Sequence, residues 1–273
     1  MFKLASTVVL FLLAGIASVS AQSLDTVDVQ KQVRPWVTFT SARVEKLFTK
    51  GSSLFAEYGT MLEFKGLERI SQDEYYALNE NYSSFLWAGY EHAFSEHWYG
   101  GVSGKANFVK QGAGSFFTRL NVAHRGHISK LFFYKEIAFE YLSYASNNQG
   151  KPDDQGRFSP SIGLGRQLKI KGKPLYIGVN YRVFFNFFYG KDKYGLYDKR
   201  KIDRTKLKAE ISYGFLPHWY LTAYYLRDTE YFFAGGAAVP YKINRITEGV
   251  GFTLTYLLFK DNADKYVPDL PIR

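Results

Sequence analysis

The chain carries five histidines, His92, His97, His124, His127 and His218, and no cysteine. A histidine beside a hydroxyl or a carboxylate is the least that base-assisted nucleophilic chemistry needs. His127 and Ser129 stand two residues apart, a spacing that puts both on one face of a β-strand, with His124 close by. No GxSxG, HExxH, phosphate-binding loop or calcium-loop pattern accompanies them. The absence of cysteine excludes disulfides, thiolate metal sites and cysteine nucleophiles. Asp153 and Asp154 are too sparse for a calcium site. No cofactor and no metal is expected, and the chain reads as a protein without a catalytic constellation.

A second set of residues is more numerous and more regular. Glu57, Glu63, Glu136, Glu140 and Glu210 stand with Lys105, Arg119, Arg182, Lys206 and Lys208, joined by Asn107 and Asn186. Each lies on the polar side of a segment in which apolar and polar residues alternate. If these polar sides face a common interior, the charges do one of two things. They line a water-filled pore and set its selectivity, or they pair across a narrow interior and fill it. Both remain open at this level.

The elements that must position these groups are strands, because the repeat is two residues. In 175–189, Leu175, Ile177, Val179, Tyr181, Val183, Phe185 and Phe187 alternate with Tyr176, Gly178, Asn180, Arg182, Phe184 and Asn186. Comparable segments are 35–48, 53–65, 82–94, 98–110, 115–129, 131–144, 157–170, 204–215, 219–231 and 245–259. The facing of 82–94 is ambiguous. Connections alternate between short and long, with 111–114 the one short member of the long series. Eleven segments with long connections external would begin the first strand outside. A chain delivered from the other side must then cross first, so either 24–33 forms a short upward strand, giving twelve, or it threads the interior.

Residues 1–21 read as an export signal: Lys3, an apolar run from Leu4 to Ile16, then small residues with Val19 and Ala21 at the two read positions. After it, no stretch reaches the roughly 18 apolar residues of a spanning helix. Removal of the signal leaves a formal charge of about +9, one less than the +10 of the whole chain. For an exported chain this excess points to phosphorylated lipid headgroups, with no nucleic acid as partner. Aromatics make up 18% of the chain, a surplus that two membrane-interface girdles would use. Phe94, Trp98 and Tyr99 flank one short turn, and Phe215, Trp219 and Tyr220 flank another of matching sequence. These six are expected in the girdle at the short-turn interface.

Sorted loops, alternating faces and strand-end aromatics give an all-β, closed antiparallel transmembrane up-and-down barrel of about 12 strands (10–12). The chain resembles a small porin-like bacterial outer-membrane β-barrel. Thr247-Glu248-Gly249-Val250-Gly251-Phe252-Thr253-Leu254 matches the assembly signal that this superfamily carries in its last strand. The commonest form ends at an aromatic residue, whereas here 260–273 continues. The resemblance implies a signal peptide (1–21), an N-terminal segment (22–34), a barrel (35–259) and a periplasmic tail (260–273). It implies location in the Gram-negative cell outer membrane, lipids and lipopolysaccharide as neighbours, and insertion by the barrel-assembly machinery. The basic stretch 190–206 would face lipopolysaccharide phosphates. The expected role is a passive channel for small polar solutes or a structural barrel. Two other readings stay open. One is a lipid-modifying enzyme, since His127-Ile128-Ser129 resembles the His-x-Ser pair of outer-membrane lipid A deacylases. The other is a soluble exported β-sandwich.

Overall fold

A computed structural model describes residues 29–48, 51–64, 68–69, 75–76, 79–109, 114–145, 155–187, 202–234 and 241–258. Residues 1–28 and 259–273 lie outside the described set, and with them the signal peptide and the tail. In chain order the strands are β1 (Val29–Val33), β2 (Val37–Leu47), β3 (Ser53–Phe64), β4 (Glu68–Arg69), β5 (Tyr75–Tyr76), β6 (Asn79–Ala93) and β7 (Trp98–Val109). They continue with β8 (Ser115–Ile128), β9 (Leu131–Tyr144), β10 (Gln155–Ile170), β11 (Lys173–Asn186), β12 (Ile202–Leu216), β13 (Trp219–Ala234) and β14 (Tyr241–Leu258). β4 and β5 pair only with each other. The other twelve form one sheet, which closes where β14 meets β2. The eleven expected segments recur as β2, β3 and β6 to β14, with ends shifted by a few residues.

The closure explains how eleven crossings suffice. β1 pairs with β14 in parallel, Val29 opposite Lys242 and Val33 opposite Ile246. β2 continues down the same edge, also parallel, from Val37 opposite Gly249 to Lys46 opposite Leu258. The twelfth strand is therefore present, but it is the upper part of a broken first wall strand and not an upward crossing. Pro35, which has no N–H to donate, sits in the break. Arg34 N donates to Ile246 O at 2.8 Å and holds the edge together. An odd number of up-and-down wall positions leaves its first and last members pointing the same way. Val29 thus lies at the rim of the long connections, and Leu258 at the rim of the short turns.

The short turns are tight. Lys171 and Gly172 both have positive φ, 51° and 78°. That is the two-residue hairpin geometry that matches strand twist, and it suits glycine.

The faces are inverted relative to a water-soluble protein. Leu120 is 60% exposed and Phe139 52%, whereas Arg182 is 1% exposed and Glu136 3%. Ile177, Val179 and Tyr181 of β11 are on the outside, while Asn180 and Arg182 are buried within. The ambiguous β6 resolves the same way: Leu86 and Tyr90 face out, and Trp87 and Glu91 face in. An open sandwich with a dry apolar centre is the opposite arrangement. A closed sheet satisfies every ladder hydrogen bond, and an apolar exterior fits lipid.

Two interior glycines allow close ring packing. Tyr224 lies opposite Gly251 on the neighbouring strand, and a Cβ at Gly251 would overlap its ring. Tyr176 covers Gly165 in the same way.

Candidate functional site: the charged lumen

A cavity of about 430 Å³ lies inside the barrel, lined by residues from each of the eleven wall positions. Of the expected interior residues, Glu57, Lys105, Asn107 and Arg119 line it, as do Glu140, Arg182, Lys208 and Glu210. Glu136 is buried beside Arg119 and Arg182, and Asn186 is buried at the long-connection end of β11. Glu63 falls in β3, with its side chain outside the described residues.

Strand register brings these groups together, because residues directly opposite on neighbouring strands share a face. Arg119 of β8 lies opposite Glu140 of β9. Ser161 of β10 lies between Glu136 of β9 and Arg182 of β11. The result is one connected network. Glu136 accepts from Arg119, Arg182 and Tyr134. Glu140 accepts from Ser159 Oγ at 3.2 Å and Arg182 Nη1 at 3.4 Å.

On the opposite wall, Arg43 of β2 faces Glu57 of β3 at 3.7 Å, contacts Glu45 at 2.8 Å and stacks over Phe55 at 4.3 Å. On β12 and β13, Arg204 Nε donates to Asp228 Oδ1 at 2.7 Å, and Lys206 lies 3.7 Å from the same carboxylate. Lys208 pairs with Glu210 at 2.5 Å. Most interior charges are therefore matched in place, as groups withdrawn from bulk water must be.

Toward the short turns the lumen is packed. Ala123, Phe132, Tyr134 and Tyr176 form one buried cluster with Tyr99 against it. Tyr220 and Leu257 form another, with Leu47 against it. None of these residues lines the cavity. Above this floor the lumen is polar and has free volume; at the floor, rings occupy it.

The floor corrects the girdle expectation. Phe94 and Trp98 are exposed on the outer wall, and Trp219 packs at a tilt against Tyr256 with ring centroids 4.7 Å apart. Tyr99 and Tyr220 point inward instead, because each follows a tryptophan by one residue and alternation sends it to the other face. Phe215 is half-buried at a register shift between Gly214 and Leu216.

The histidines lie near the short turns. His127 packs edge-on against Phe132 at 5.3 Å, and His124 lies between Trp98 and Phe133. Ser129 occupies a turn with φ 57°. Among the described residues no hydrogen bond joins His127 to Ser129, and no group of three or more acidic, histidine or cysteine side chains could hold a metal.

Several lumen residues escape the sequence reading. Arg43 and Glu45 lie in the segment with the weakest alternation. Arg204 reads as the end of a basic loop, yet β12 begins at Ile202 and turns it inward beside the expected Lys206. The usable signal was the alternation of Arg204, Lys206 and Lys208 with Thr205 and Leu207. The rest of that basic stretch, 190–201, lies outside the described residues, as do Asp153 and Asp154.

No protein-family model matches the chain, and no curated protein matches it. Among solved structures it is similar to one titled "NanC porin structure in rhombohedral crystal form", with 12% identity and a TM-score of 0.38, covering 69% of this chain and 78% of that one. The likeness is weak. The chain's own closed sheet, apolar exterior and charged interior are those of a membrane-type β-barrel.

Proposed function

We propose that this barrel is a narrow passive channel for small polar solutes in a bacterial outer membrane. One observation carries the reading: a cavity inside the barrel, lined by many charged side chains and bordered by every wall position. The ring floor is its constriction. Lipopolysaccharide and outer-membrane lipids are its neighbours, and the assembly signal in β14 fits insertion by the barrel-assembly machinery. Planar-bilayer recording of the refolded protein tests the reading. Small discrete steps are expected. Tyr176→Ala, which removes a floor ring whose hydroxyl has no hydrogen-bond partner among the described residues, should enlarge them. Silence from both proteins would reject the channel and favour a structural barrel, the second reading, which the packed floor supports.

A further inference from the structure

The charges of the lumen are not matched evenly along its length. Arg119 and Arg182 meet Glu136 and Glu140, Arg43 meets Glu45 and Glu57, Lys208 meets Glu210, and Arg157 meets Asp203 at 3.0 Å. The belt toward the long connections differs. There Arg204 and Lys206 share Asp228, and Arg204 and Arg245 share Glu230. Lys105 adds a further cation to the same cavity. Its ammonium lies over the Phe85 ring at 4.1 Å, and it forms no ion pair among the described residues. Three cations thus share two carboxylates there, and Lys105 stands near them without one. The other acids within electrostatic reach of these cations, Asp203, Glu57 and Glu140, are already engaged by arginines.

Lys105 and Lys206 approach from opposite walls. β7 and β12 stand five positions apart around an eleven-position wall. Both lysines border the one cavity and lie within electrostatic reach of each other. Cations facing each other across a confined interior repel, and withdrawing them from water without counter-charge is costly. An anion placed between them removes both penalties, and charge-assisted hydrogen bonds from ammonium and guanidinium groups would hold it.

We propose that this belt is a binding site for a small solute bearing a carboxylate or phosphate group, held between Lys105 on β7 and the Arg204–Lys206 pair on β12. The site names the solute class of the cavity that the channel reading uses and rests on that reading for its transport role; binding itself needs no throughput.

Calorimetric titration of inorganic phosphate into the folded barrel, in non-ionic detergent at low ionic strength, tests it. The native protein should bind phosphate saturably, one per barrel. Lys105→Glu and Lys206→Gln should each weaken binding at least tenfold. Lys105→Met keeps the stem over Phe85, so it retains the packing and should lose binding too. Lys169→Gln, on the exposed lower wall, should change nothing. Absence of saturable binding to the native protein, or unchanged affinity in folded Lys105→Met, would overturn the site. Phosphate binding by a protein silent in bilayers would reject the channel and keep the site. Discrete conductance without phosphate binding would do the reverse.

Discussion

Glu136 accepts from two guanidiniums and a phenol at the centre of the lumen network. Removing it strands Arg119 and Arg182, both buried, without one of their carboxylates. Breaking a buried pair in this way costs about 3–5 kcal/mol. Glu136→Ala should therefore lower stability by that amount in urea unfolding of the vesicle-inserted barrel, and a loss below about 1 kcal/mol would mean that water already solvates the network. On the outer wall, Val179→Arg puts a charge at mid-strand against lipid and should cost about 2–4 kcal/mol in the same titration. Alternation alone suggests a milder effect for Asn180→Arg, one residue along. The structure keeps that order but shows that the cost is real. Asn180 is 2% exposed, and its amide lies against Gly163, so an arginine there overfills a packed interior at about 1–3 kcal/mol. Period two gives the side of the wall that a residue faces; it does not say whether the space beyond is wet or full.

At the scale of elements, the strands and their turns were legible because two-residue alternation, sorted loop lengths and turn residues all agreed. Which edges meet at closure was not legible. Alternation fixes faces, whereas the β1–β14 and β2–β14 pairings depend on the count around the whole wall. The floor was missed for a related reason: Tyr99 and Tyr220 look like interface aromatics by type, and only their parity relative to Trp98 and Trp219 turns them inward. The parallel closure makes a sidedness prediction. Gln32, exposed on β1, and Glu96, exposed in a short turn, belong to opposite rims. A membrane-impermeant maleimide on intact cells should label Gln32→Cys, and should label Glu96→Cys only after lysis; equal labelling of both would contradict that topology. Gly251→Val should expel the Tyr224 ring from its seat and destabilise the β13–β14 hairpin. Unchanged near-ultraviolet dichroism with unchanged urea midpoint would show that the ring does not need that space.

For the whole molecule, one physical inversion organises everything else: apolar side chains outside, charges inside, and a closed sheet between them. The native chain has no cysteine, so single cysteines can be spin-labelled along β11 from Ile177 to Arg182 in the bilayer-inserted protein. The account predicts that labels at 177, 179 and 181 are relaxed by oxygen dissolved in the lipid and shielded from a water-soluble nickel chelate. Labels at 178, 180 and 182 should show little access to lipid-dissolved oxygen. Strong relaxation of the odd positions by the aqueous reagent, with the even ones facing lipid or both sets alike, would contradict it.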